Sequence, residues 1–324
     1  MSNDDLILLL GNDWSEVKAL IKRSLGSDVP LLDEINSSLL DNAGKMLRPM
    51  LTLFSAKLCG AGIVSGESIN GAAAVEILHN ATLLHDDVAD EAETRRGQPT
   101  VLSKYGPVPA VLVGDFWLAK AVGLLTGSSH LQWVVNVCAR TLTDLAEGEM
   151  LQQQKAFSSD TTVEDYLRII YCKTASLFET ACKIGAVSVD APSEFVKAVG
   201  NYGRAMGMAF QIQDDILDYA GSAATGKPVG IDLLERKITL PLLGAIERTG
   251  SGECIRSMIR DIPEHPEYCH EITRFVLDNG GVEYAKKKLG AYVKEAVSAL
   301  EVFPESQFRS ALEFIAGQSA HRVK

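Results

Sequence analysis

Two stretches of this chain place three carboxylates within five residues of otherwise apolar, helix-spaced sequence. Leu84-His85-Asp86-Asp87-Val88-Ala89-Asp90 contains the pattern DDxxD, and so does Gln213-Asp214-Asp215-Ile216-Leu217-Asp218. Residues four apart share a helix face, so Asp86 points with Asp90 and Asp214 with Asp218. Like charges so close together are costly in apolar surroundings unless something positive sits beside them. Mg²⁺ fits best, since it takes oxygen ligands from one or two carboxylates together with substrate phosphates and water. His and Cys are not interleaved as a zinc site requires. Asp86, Asp87, Asp90, Asp214, Asp215 and Asp218 are therefore the candidate metal-binding residues. One such cluster alone reads equally well as a solvated helix end. Two copies, each followed by a Gly/Pro-rich segment, argue against that reading.

The rest of the chain is helical in spacing. From Gly71 to Asp90 the apolar residues Val75, Ile77, Leu78, Leu83, Leu84 and Val88 do not alternate as a strand would. Similar stretches occupy 31–59, 111–126, 131–157, 163–189, 193–220, 234–248, 267–277 and 281–302. Alternating β-branched runs with hairpin signals are absent. The pattern predicts an all-α, single-domain bundle of about ten or more helices spanning residues 1–324. Residues 93–109 and 221–230 are predicted to be loops able to close over whatever the acids bind.

Composition narrows the partners. The chain has 324 residues, 46% of them hydrophobic and 23% charged, and a net charge of −11. That acidity disfavours a nucleic-acid partner. It also means that an anionic substrate would need bound cations. Cys59, Cys138, Cys172, Cys182, Cys254 and Cys269 form no CxxC pair and read as reduced thiols of a cytoplasmic protein. The acidic start and short apolar run, Met1 to Leu10, lack the features of a secretory signal. No apolar stretch is expected to reach the roughly 20 residues of a membrane span.

Basic residues complete an anion site. Lys45 and Arg48 lie in Gly44-Lys45-Met46-Leu47-Arg48-Pro49, and Arg95-Arg96-Gly97 follows the first aspartate cluster. Lys173-Thr174 sits in a helical run, and Lys227 and Lys237 flank Pro228 to Arg236. Arginine supplies forked phosphate contacts and lysine a point charge. His79, seven residues before Asp86, falls on the Asp86 face. Taken singly, each of these reads as a solvated base or a satisfied core histidine.

In order along the chain, these segments resemble the trans-polyprenyl diphosphate synthase family, in particular its long-chain members. The run from Glu76 to Gly97 looks like that family's first aspartate-rich region. Gly114-Asp115-Phe116, Glu147-Gly148-Glu149, Lys173-Thr174, Phe210-Gln211-Ile212-Gln213-Asp214-Asp215 and Gly226-Lys227 follow in the family's order. The resemblance implies a helical isoprenoid-synthase bundle around a central active-site cavity. It implies Mg²⁺-assisted, head-to-tail condensation of isopentenyl diphosphate with an allylic prenyl diphosphate such as farnesyl diphosphate.

By the resemblance, Lys45, Arg48, His79 and Arg96 hold isopentenyl diphosphate. Arg95, Lys173, Lys227 and Lys237 hold the allylic diphosphate, and Thr174 and Gln211 face the developing allylic cation. A homodimer and peripheral membrane contact for product release are likewise implied. One departure is that the family usually reads GGKRxRP where this chain has Ala43-Gly44-Lys45-Met46-Leu47-Arg48-Pro49. A class I terpene synthase would not need Lys45, Arg48 and Arg96, and a non-catalytic subunit would be expected to lose acids from the clusters.

Product length should be set beside the first cluster. In the family, bulky residues four or five positions before its first aspartate stop chain growth, and here those positions hold Thr82 and Ala81. With Leu78 and Ala74 they fall within one helical arc, so a long product, about C35–C50 by the resemblance, is expected. Gly200, Gly203 and Gly207 share the Gln211 face of the second aspartate helix, where close helix packing is the simpler reading.

Overall fold

A computed structural model describes residues 1–41, 44–220 and 230–321. The chain gathers into two compact units. The first comprises Met1–Val137, Thr180–Val199 and Glu305–Ala311; the second comprises Cys138–Glu179, Gly200–Pro304 and Leu312–Lys324.

The first unit is built around helix α5 (Gly66–Ala89), which follows α1 (Asn3–Leu10), α2 (Asn12–Ser24), α3 (Pro30–Asp41) and α4 (Leu47–Cys59). Ser65 caps α5 by accepting from Ser68 N at 3.1 Å, and its own hydroxyl donates to the Ser188 carbonyl at 2.7 Å. Ala72, Ala73, Ala74, Ile77, Leu78, Ala81 and Leu84 are all buried, so α5 is wrapped by neighbours on most of its surface. It packs against α2, α4 and α7 (Pro107–Leu125). Each large aliphatic side chain buried there contributes about 1.5–3 kcal/mol relative to exposure. The aspartate cluster at the end of α5 is thereby mounted on a rigid post.

Residues 93–109 depart from the predicted loop. Thr94–Arg95 and Gln98–Pro99 pair as a short antiparallel ladder, β1 with β2. Thr100 then caps α6 (Val101–Tyr105) by accepting from Ser103 N at 3.0 Å. Pro107 opens α7, where its fixed φ suits the first turn. The predicted stretch 31–59 divides into α3 and α4. The expectation of no membrane-length apolar stretch also needs correction: α7 is long and apolar enough to cross a membrane by length and composition, with 33% of that stretch buried in the fold.

The second unit holds most of α8 (Leu131–Ser158), α9 (Val163–Ile170), the first turn of α10 (Ser176–Val187), and the body of α11 (Ser193–Ala220). Beyond α11 come the short α12 (Ile231–Leu234), then α13 (Leu240–Thr249), α14 (Gly252–Asp261), α15 (Tyr268–Asp278), α16 (Gly281–Ala299) and α17 (Gln307–His321). Its core joins Tyr166, Ile212, Ile216, Leu243, Ile259 and Val276. Gly207 serves packing: a Cβ there would lie 2.6 Å from Ala175 Cα. Between α9 and α10 the backbone widens into a π turn over Tyr171–Ala175.

Candidate active site

In the first unit, the three acids at the end of α5 divide by burial. Asp87 is 4% exposed and turned inward, and its Oδ1 accepts from Arg95 Nε at 2.6 Å. Burial pushes the Asp87 carboxyl up and Arg95 pulls it back. Asp86 is partly exposed and Asp90, the C-cap, is exposed. The local period thus presents Asp86 and Asp90 outward, while Asp87 ties the β1 hairpin to the post.

One to three turns earlier, α5 carries a buried polar knot. Glu76 is 6% exposed, and its Oε1 accepts from Asn80 Nδ2 at 3.2 Å. Burial raises its carboxyl above the usual range, opposed by Arg48 and Arg96. The His79 ring is held well below the usual imidazole range, first by desolvation and then by Arg48, Arg96 and Arg95. It is therefore neutral at physiological pH and can donate a hydrogen bond without carrying charge. Arg48 sits in the first turn of α4 and Lys45 just before it, at the positive end of the helix dipole. Gly44 meets the knot too: a Cβ on it would fall 2.5–2.6 Å from the Arg96 guanidinium. Arg48, Arg95 and Arg96 thus all act on His79, so Arg95 joins residues that the resemblance assigned to the other diphosphate, and Glu76 is a buried acid beside them to which the sequence gave no role. The signal available for Glu76 was a lone acid in an apolar helix.

In the second unit, a cavity of about 180 Å³ is lined by Lys173, Thr174, Gln211, Asp215, Asp232 and Lys237, among others. The π turn carries Lys173 and Thr174 into its wall; such turns recur at functional sites. Thr174 Oγ1 donates to Gln211 Oε1 at 2.8 Å, and Gln211 Nε2 donates to Asp215 Oδ1 at 2.9 Å. The Tyr166 hydroxyl donates to Asp215 Oδ2 at 2.5 Å. Lys173 pairs with Glu149, and Lys237 with Glu235. Asp218 accepts from the backbone N–H of Ile231 at 3.3 Å and of Asp232 at 3.2 Å, which fixes its carboxylate at the start of α12.

Asp215, a candidate metal-binding residue in the sequence, is placed differently from Asp214 and Asp218. Both of its oxygens already accept hydrogen bonds and its side chain is buried, because the residue after Asp214 lies about 100° round the helix, toward the core. Asp214 and Asp218 remain partly exposed. Lys227 and Gly226 lie outside the described residues. Leu78 and Ala81 are 2% and 1% exposed, and the Thr82 hydroxyl donates to the His79 carbonyl at 2.8 Å.

A divalent cation fits these donors. Asp218 and Asp232 are each raised first by burial, and repulsion from neighbouring carboxylates adds to it. A dication relieves this strain. Among the described residues no three acids, histidines or cysteines form a closed cage, which suits a hard ion whose other ligands are phosphate oxygens and water.

Residues 29–276 match the polyprenyl synthetase family. The chain is 36% identical to the octaprenyl diphosphate synthase of Haemophilus influenzae, over 99% of this chain and 98% of that protein. It is 35% identical to an all-trans-nonaprenyl-diphosphate synthase (geranyl-diphosphate specific) of Rhodobacter capsulatus, over 99% and 98%. Its fold matches the Caulobacter crescentus polyprenyl synthase, crystallised with calcium and isoprenyl diphosphate, at a TM-score of 0.90 and 36% identity, over 100% and 98%. Enzymes of this family use a divalent metal. The chain belongs to the polyprenyl synthetase family and is a trans-prenyltransferase.

Proposed function

We propose that this enzyme condenses isopentenyl diphosphate head-to-tail with an allylic prenyl diphosphate, farnesyl diphosphate being the expected primer, to a long all-trans polyprenyl diphosphate. The observation that carries the reading is the knot of Arg48, His79 and Arg96 around buried Glu76. It is a cationic site separate in composition from the lysine-lined cavity of Lys173 and Lys237. Two anion sites suit two diphosphate substrates, and a terpene cyclase needs one.

In this reading Lys45, Arg48, His79 and Arg96 hold isopentenyl diphosphate. Arg95, Lys173, Lys227 and Lys237 hold the allylic diphosphate. Asp86 and Asp90, and likewise Asp214 and Asp218, would hold Mg²⁺, whose charge would stabilise the leaving diphosphate. As the allylic C–O bond breaks, Gln211 Oε1 and Thr174 Oγ1 present lone pairs to the developing cation. The isopentenyl C=C supplies the electron pair of the new C–C bond. The departing diphosphate accepts the proton then lost.

The whole of 1–324 is proposed to act as one catalytic domain, in the cytoplasm, as a homodimer that touches a membrane only to release product. Val108, Val111, Leu112 and Val122 leave an apolar stripe of α7 exposed, which supports the dimer. Among the described residues the cysteines are free, which supports a reducing compartment. The deciding experiment is to incubate the purified protein alone with isopentenyl diphosphate and either geranyl or farnesyl diphosphate, then chromatograph the dephosphorylated products. Elongation past C20 that stops in EDTA is expected. No elongation, or a cyclised or unextended product, sinks the reading.

A further inference from the structure

We infer that Tyr166 is a positioning residue for the prenyl-transfer step: through Asp215 it fixes which end of the Gln211 amide faces Thr174. Gln211 has a donor end and an acceptor end, and the two can exchange by rotation of the amide. Asp215 accepts at both oxygens, from the Tyr166 hydroxyl at Oδ2 and from the Gln211 NH₂ at Oδ1, the latter at 2.9 Å. The carbonyl oxygen is then delivered to Thr174, whose hydroxyl donates to it at 2.8 Å. Gln211 and Thr174 both line the cavity that Lys173 and Lys237 also line.

Asp215 could not set this polarity if its carboxylate were free to turn. Tyr166, 3% exposed and packed among Ile170, Ile212 and Ile216 in the core, donates to Asp215 Oδ2 at 2.5 Å. The phenol is thus anchored by its ring, the carboxylate by the phenol, the amide by the carboxylate, and the threonine hydroxyl by the amide. A chain of this kind transmits orientation because each acceptor is used by one defined donor. Tyr166 itself does not reach the reacting atoms. Its effect should appear in the chemical step and not in the binding of either diphosphate.

This inference rests on the proposed role of Gln211 at the allylic cation, and the test separates the two. The holoenzyme is assayed with Mg²⁺ as wild type, Tyr166→Phe, Gln211→Ala and the double variant, each corrected for folded fraction by circular dichroism at the assay temperature. Tyr166→Phe is expected to lower kcat roughly tenfold. KM for isopentenyl diphosphate and the Kd of a non-ionising farnesyl thiodiphosphate should stay within about twofold of wild type. In the Gln211→Ala background, Tyr166→Phe should cost less than about twofold, because the amide it orients is gone.

Equal losses in both backgrounds, or a matching rise in that Kd, would overturn the inference. Full kcat in Gln211→Ala would instead overturn the role given to Gln211. Asp215→Asn provides a second variant if Tyr166→Phe folds poorly. Its amide can donate where the carboxylate only accepted, so Gln211 can turn over. A lower kcat at an unchanged half-saturating Mg²⁺ concentration is expected, and a shifted Mg²⁺ requirement counts against the inference.

Discussion

The guanidinium of Arg96 lies against the bare Cα of Gly44, so closely that a Cβ there would fall 2.6 Å from its central carbon and within 2.6 Å of both terminal nitrogens. The φ of Gly44 is not in the left-handed region, so alanine is compatible with the backbone. The glycine is needed as a seat for the arginine. Gly44→Ala should displace Arg96 and raise KM for isopentenyl diphosphate roughly tenfold, with the allylic KM unchanged. Steady-state kinetics with each substrate varied in turn checks this, and the effect should vanish in an Arg96→Ala background.

The acids of the first cluster should separate by what they do. Asp86 is partly exposed and partnered for chemistry, so Asp86→Ala should lower kcat by orders of magnitude while Tm hardly moves. Asp87 is buried against Arg95, so Asp87→Ala removes the carboxylate that anchors the Arg95 side chain and should also lower Tm. Melting curves beside kcat distinguish the two. A large Tm loss in Asp86→Ala, or none in Asp87→Ala, contradicts the division.

His79 makes stability depend on pH with a defined sign. Its folded-state pKa lies well below 6.5, so below that value the unfolded chain binds the extra proton and the folded chain resists it. Its contribution is complete above about pH 6.5 and fades as the pH falls further. Tm should therefore drop more steeply between about pH 7 and about pH 5 in the wild type than in His79→Gln. Parallel melting curves across that range would show that His79 is not held neutral.

Product length should respond to Ala81. The residue is 1% exposed on α5, five positions before Asp86. Ala81→Phe should shorten the product, because overfilling a packed site is not easily relieved. Chromatography of the dephosphorylated products decides it, and an unchanged chain length in a folded variant rules out this account.

Much of the site is local and hence visible in the chain. The pairs Asp86/Asp90 and Asp214/Asp218, the run Lys45 to Arg48, and Arg95-Arg96 are each set within one or two helical turns. A period of 3.6 residues fixes which of them share a face. Helical character was legible for the same reason, since apolar spacing is a property of short windows. The same windows blurred the residues after Asp90. There Thr100 and Pro107 each restart a helix, and a Gly/Pro-rich composition conceals such caps.

What the sequence by itself determined, then, is a helical protein with two carboxylate pairs, each on one helix face, since these follow from helical period alone, while the anion-site roles of its basic residues were only what the family resemblance implied. Only the tertiary structure decided that Asp215 turns inward to Tyr166, 49 residues away in sequence, that Glu76 sits among Arg48 and Arg96, and that Gly44 seats Arg96. It also decided that the backbone widens at Lys173 and Thr174 to bring them to the cavity wall. The physical reason is that a buried polar group takes whichever partner packing brings within hydrogen-bond reach, and no local rule specifies a partner from a distant part of the chain.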